Sequence, residues 1–173
     1  MSAQDPRANA DDVRAGAGAA LPYPDADLRV HPPRNARQQL AGLMFLPRTI
    51  DKVRAKLQGT LGFYKIAPGM SAYLFEWLGI SEEQFTQAVR AARSEAEIAE
   101  WVTAHCDTTT FGEINERLSQ RAIRDEAHFN EVLPRYPVLR ERPELRNWFE
   151  IFELDDAWMF DPANAEAVKT MPT

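Results

Sequence analysis

Within residues 81–113 the chain three times places a hydroxyl residue three positions ahead of Gln or Glu: Ser81 with Gln84, Ser94 with Glu97, and Thr110 with Glu113. Each such pair satisfies two backbone donors that a helix start otherwise leaves open. Apolar residues follow each pair at helical spacing. They are Phe85, Ala88, Val89 and Ala92; then Ile98, Trp101 and Val102; then Phe111, Ile114 and Leu118. This pattern predicts short helices near 82–93, 95–105 and 111–122.

The flanking segments continue the theme. Pro47 suits a first helical turn and Gly59 a left-handed stop, with Leu46, Ile50, Val53 and Leu57 forming one apolar stripe between them. Residues 36–46 also read as helical (Leu40, Leu43, Met44), with a bend or break at Pro47. The glycine-punctuated run 60–66 reads as an extended loop or brief hairpin arm. A helix over 68–78 stops at Gly79, another opens at Asp125, and a further one starts at Pro143. In that last segment Leu145, Trp148, Phe149 and Phe152 form the best apolar stripe in the chain, read as core packing. Alternating strand patterns and internal repeats are not evident. The expected fold is all-α: about seven short helices around one core, spanning 37–160. Residues 1–36 form a partly extended, irregular N-terminal tail pinned by Tyr23, Leu28 and Val30, and 161–173 a C-terminal tail.

The charge cluster on the 47–59 segment has two readings. Arg48, Asp51 and Lys52 meet at i, i+3, i+4 and would form a solvated ion-pair face, the commoner fate of such residues. Alternatively Asp51 and Arg54, at the border of the apolar stripe, face a cleft.

Composition narrows the classes of function. A net charge of −6 argues against a general nucleic-acid binder. No apolar run approaches the roughly 20 residues of a membrane span. Cys106 is the single cysteine, so an intrachain disulfide is excluded, and the acidic start of the chain does not read as a secretory signal. The expected compartment is the cytoplasm. Gly16-Ala17-Gly18 lacks the third glycine and the preceding strand of a dinucleotide fingerprint. Gly59-x-x-Gly62 lacks the sheet context of an RNA-clamping loop.

Several runs carry a resemblance: Leu46-Pro47-Arg48-Thr49-Ile50-Asp51-Lys52-Val53-Arg54-Ala55, Gly62-Phe63-Tyr64, Phe75-Glu76-Trp77-Leu78-Gly79-Ile80, Trp148, and Leu154-Asp155-Asp156. Over about residues 33–157 the chain resembles the bacterial family known as domain of unknown function 5069. That family usually has Glu where this chain has Phe63, and a Gly-containing turn where it has Ala157-Trp158-Met159-Phe160. The resemblance implies no activity and transfers no catalytic residues.

Candidate chemistry is therefore read from residue types. His31, His105 and His128 lack ligand spacing, and adjacent His105 and Cys106 diverge on a helix, so neither a metal site nor a Cys–His pair is expected. No cofactor motif is present either. What remains is acid–base chemistry. Asp51 as base, Arg48 and Arg54 beside it, and the Tyr64 phenol are close in sequence and form the expected catalytic set. Phe63, Phe75, Trp77, Trp158 and Phe160 are expected to wall a pocket for a small, largely apolar molecule. The function expected is a cofactor-independent lyase, isomerase or hydrolase. The alternative is a non-catalytic module whose C-terminal aromatics meet a ligand, a partner or a second copy of the chain.

Overall fold

The structure, a computed structural model, describes residues 26–171. Gly16-Ala17-Gly18 and Tyr23 lie outside that range. The described chain is all-α apart from one short hairpin. Its centre is α1 (Leu46–Gln58), buried from Leu46 to Ala55 on every side. Around it pack α2 (Met70–Leu78), α3 (Glu82–Ala91), α4 (Glu95–His105) and α5 (Phe111–Gln120). Leu46, Ile50 and Val53 join Leu74, Phe85, Val89, Ile98 and Leu118 in the main core. A second core lies under α6 (Glu126–Val132), the short α7 (Val138–Glu141) and α8 (Trp148–Met159), with Phe129, Leu139, Trp148 and Ile151 at its centre. Phe152 packs against both cores.

Helix ends follow local chemistry. Gly59 and Gly79 stop α1 and α2 with φ of 73° and 68°, where L side chains are strained. Ser81 and Gln84 form a complete capping box. Ser94 accepts the Glu97 amide, but the Glu97 carboxylate turns to the amide of Arg93. Thr110 does not cap. Asp107 instead caps a 3-10 turn (Thr108–Thr110) that runs into α5.

Three expected elements differ. Residues 36–46 form a hairpin, not a helix: β1 (Gln39–Leu40) pairs antiparallel with β2 (Leu43–Met44). Ala41 and Gly42 both take positive φ, as a two-residue hairpin turn requires. Asn115 clamps the hairpin to α5, accepting from the Met44 amide and donating to the Gly42 carbonyl, each at 2.8 Å. Second, the helix expected from Pro143 starts at Trp148. Asn147 caps it, while backbone bonds from Ile123 to Arg146 and from Trp148 to Arg121 hold the preceding residues extended. Third, the C-terminal segment folds into a 3-10 turn (Pro162–Asn164) and a helical turn, α9 (Ala165–Val168).

Within the N-terminal segment Leu28 is buried against Ala55, Leu61 and Tyr64, whereas Val30 is exposed. Gly62 permits the close approach. Its φ is 61°, and a Cβ there would lie 2.9 Å from the Leu28 carbonyl oxygen. The loop that presents Tyr64 is thereby held against residues 26–28.

Candidate functional site

One face of α1 carries Arg48 and, a turn later, Lys52. The solvated ion-pair face that sequence spacing favours does not form: Arg48, Asp51 and Lys52 are all buried, at 3, 8 and 5% exposure. Arg48 grips Asp156 of α8 with two bonds, Nη1 to Oδ2 at 2.7 Å and Nη2 to Oδ1 at 3.1 Å. The Tyr64 hydroxyl donates to the same Oδ1 at 2.7 Å. The Arg48 guanidinium also lies over the rings of Tyr64 and Phe152. Two buried charges are thus fully engaged, the condition under which an internal ion pair persists.

Beside this triad lies a cavity of about 90 Å³. Phe45, Phe63, Met70, Phe152 and Met159 give it apolar walls, and Lys52, Tyr64, Arg135, Asp155 and Asp156 line its polar side. Met171 brings the C-terminal segment onto its rim. Phe45 holds a φ of 66°, a strained conformation for a bulky residue, and strain of this kind clusters at functional sites. Its ring stacks on Phe149 and sits 5.0 Å from the Lys52 Nζ.

Two groups on the wall are unusual. Lys52 Nζ donates to the Lys65 carbonyl at 3.1 Å. Burial first, and then repulsion from Arg48, pull Lys52 well below the ordinary lysine range. Asp155 Oδ1 is buried and has no hydrogen-bond partner among the described residues. Burial, and then the neighbouring Asp156 charge, push the Asp155 carboxyl up to about 7. The same two influences hold the Tyr64 phenol well above its ordinary range, so it stays protonated and donates. An amine pushed toward its neutral form and a carboxyl that titrates near neutrality are groups suited to proton transfer.

The expected site residues divide. Arg48, Tyr64 and Phe63 line the cavity; Asp51 and Arg54 do not. Asp51 sits in a closed network. It accepts from the Arg34 amide at 2.9 Å and from the Arg34 guanidinium at 2.8–3.2 Å, and that guanidinium also grips Glu95 at the start of α4. Arg54 is buried elsewhere on α1. Phe75 packs on Phe85 in the main core, and Trp77 lies between Tyr73 and Arg117. Trp158 packs on the second core and its indole N–H donates to Glu141 Oε1 at 3.0 Å; Phe160 caps the end of α8. None of these four aromatics walls the cavity. His105 stacks on Trp101, and among the described residues no three His, Cys, Asp or Glu side chains converge as metal ligands.

Sequence reasoning missed Lys52, Asp155, Asp156 and Arg135. A signal for the acidic pair exists. The stripe Leu145, Trp148, Phe149, Phe152 continues at i+3 and i+4 onto Asp155 and Asp156, which places two carboxylates at core positions.

Fold and site together define an all-α protein enclosing a small, charged, aromatic-walled cavity. The chain belongs to the family described as Domain of unknown function (DUF5069), which matches residues 30–158. Every cavity residue named above except Met159 and Met171 falls inside that match. No curated protein matches the chain.

Proposed function

We propose that the cavity is the active site of an acid–base enzyme, of the lyase, isomerase or hydrolase type, acting on a small molecule with a largely apolar body. One observation carries this reading: a buried amine and a buried, unpartnered carboxyl oxygen line the same aromatic-walled cavity. Lys52 is the base that takes a proton from the bound molecule. Asp155 is the acid that returns one. Arg48 and Asp156 hold the Tyr64 phenol in place, and Arg135 offsets negative charge that develops on the substrate. General acid–base groups so placed contribute about 10²–10⁴-fold in rate.

The alternative, a module that presents its C-terminal aromatics to a partner or a second copy of the chain, has less support. Trp158 and Phe160 are half-buried, and the Trp158 N–H is already engaged.

The test is proton exchange. A panel of small C–H acids (ketones, 2-oxo acids, lactones, nitroalkanes) is incubated with the protein in heavy water and followed by proton NMR. The expected result is exchange of at least one compound faster than in buffer, lost in Lys52→Met and Asp155→Asn. Exchange no faster than in buffer throughout, or retained in both variants, overturns the reading.

A further inference from the structure

We propose that the molecule bound in this cavity is a small carbonyl compound with an anionic end, in chemical class a 2-oxo acid, and that Lys52 Nζ bonds covalently to its carbonyl carbon. The inference rests on the acid–base reading, names its substrate class, and moves the role of base from Lys52, which becomes the nucleophile, to the Asp155 carboxylate. It begins from what each polar wall group already holds. Arg48 is matched by Asp156 through two short bonds. Arg135 forms no ion pair within 4 Å among the described residues; its side chain bonds to Tyr136, its Nη2 reaches the Phe63 carbonyl only at 3.4 Å, and its charge acts on Asp155 from a greater distance. A cationic fork with no carboxylate in direct contact, on the wall of a partly open cavity, fits a carboxylate ligand.

Lys52 supplies the second half. It is buried, it lines the cavity beside Lys65, and the Lys65 carbonyl fixes one Nζ–H direction. Phe45 and Phe152 are among the apolar residues that line the same cavity. Burial shifts this amine toward its uncharged form, whose lone pair is what attack on a carbonyl requires. The volume of about 90 Å³ accommodates a molecule of only a few non-hydrogen atoms.

The step balances without another reagent. The Nζ lone pair forms the C–N bond and the carbonyl π electrons move to oxygen. One proton from Nζ and one from the Asp155 carboxyl then pass to that oxygen, which leaves as water. The products are an iminium on Lys52 and an Asp155 carboxylate, which later accepts a proton.

Pyruvate is the probe, with acetone as its uncharged counterpart. Full-length protein is incubated with each in the presence of cyanoborohydride, and labelled peptides are identified by mass spectrometry. The chain has four lysines; Lys56, Lys169 and the amino terminus serve as internal references, while Lys65 lines the cavity and does not. The expected result is labelling concentrated on Lys52, with pyruvate outpacing acetone. Arg135→Met is expected to slow pyruvate labelling about tenfold, the loss of one charge-assisted contact, and acetone labelling within about twofold. Labelling of Lys52 no faster than the reference amines overturns the imine. If catalysed proton exchange persists in that case, the acid–base reading stands without it; if exchange is absent too, both fall. Equal slowing of both probes in Arg135→Met overturns the anionic end alone. Because Lys52 selectivity is read in the unaltered protein, a poorly folded variant does not remove the test.

Discussion

Replacing Asp155 with Asn keeps the shape of the side chain and removes its charge. The Val138 amide, which favours the charged carboxylate, can still bond to the Asn oxygen. The consequence for stability follows from proton binding. Between the ordinary aspartate range near 3.9 and the folded value of about 7, the folded chain keeps a proton that the unfolded chain has released. Stability therefore falls as pH rises through that window, and the penalty is complete above it. The separation corresponds to up to about 4 kcal/mol, an upper figure because water entering the cavity screens part of it. The variant has no such dependence. Its advantage over the unaltered protein should be smallest near about pH 4 and grow to about 2–4 kcal/mol near about pH 8. At roughly 2–4 °C per kcal/mol for a chain of this size, the melting temperatures should separate by about 5–15 °C.

Urea unfolding of both proteins at the two pH values measures this directly, with equal m-values as the check that the unfolded states match. A stability difference that does not change between the two conditions would refute the reasoning. It would mean that the Asp155 carboxyl ionises in the folded protein as it does in water. The variant should also lose catalysed proton exchange. A more stable, inactive protein is the signature of a group kept for chemistry at the expense of the fold.

Three further outcomes follow from the same geometry. Lys52→Met should stabilise the protein at neutral pH, because burial makes the folded chain hold this proton less tightly than the unfolded chain does; the gain should shrink as pH rises toward about 10, and a constant gain in urea titrations would contradict it. Gly62→Ala should cost at least about 1–2 kcal/mol from the left-handed backbone alone, before its clash with the Leu28 carbonyl, and an unchanged urea midpoint would argue against that close approach. Asp51→Asn should destabilise by about 2 kcal/mol through its bonds to Arg34 yet leave catalysed exchange intact, and loss of exchange in a folded variant would return Asp51 to the chemistry.

The features legible in the sequence are those written in local chemistry. Gly59 and Gly79 end helices because only glycine takes their φ without cost, and Ser81 with Gln84 announces α3 by closing its own backbone donors. The 39–44 hairpin was not legible because two-residue strands leave no alternation to read. Leu40, Leu43 and Met44 happen to match helical spacing as well. Its stability comes from Asn115, distant in sequence. The site shows the same divide. Arg48 and Tyr64 were accessible as members of one charged, aromatic neighbourhood, but their shared partner Asp156 lies about a hundred residues away. Asp51 was the more obvious carboxylate by proximity, and the partner that holds it away from the cavity, Arg34, sits in a segment with no periodicity at all.

The two faces of α1 explain why charged residues persist in the most buried helix of the molecule. On one side Asp51 is closed off by Arg34, which joins α1 to the start of α4; both Asp51 carboxylate oxygens have donors, and that side acts as a cross-tie. On the other side Arg48 is closed off by Asp156 and Tyr64, but the groups next to it are not: Lys52 lacks a carboxylate within ion-pair distance among the described residues, and Asp155 Oδ1 lacks any donor. Burying a charge with a partner is close to neutral, whereas burying a titratable group without one costs stability. A fold that needed only cohesion would lose nothing by filling the second side with Met and Asn. The asymmetry between a satisfied network and an unsatisfied one, carried by the same helix, is what the proposed function explains and a purely structural role does not.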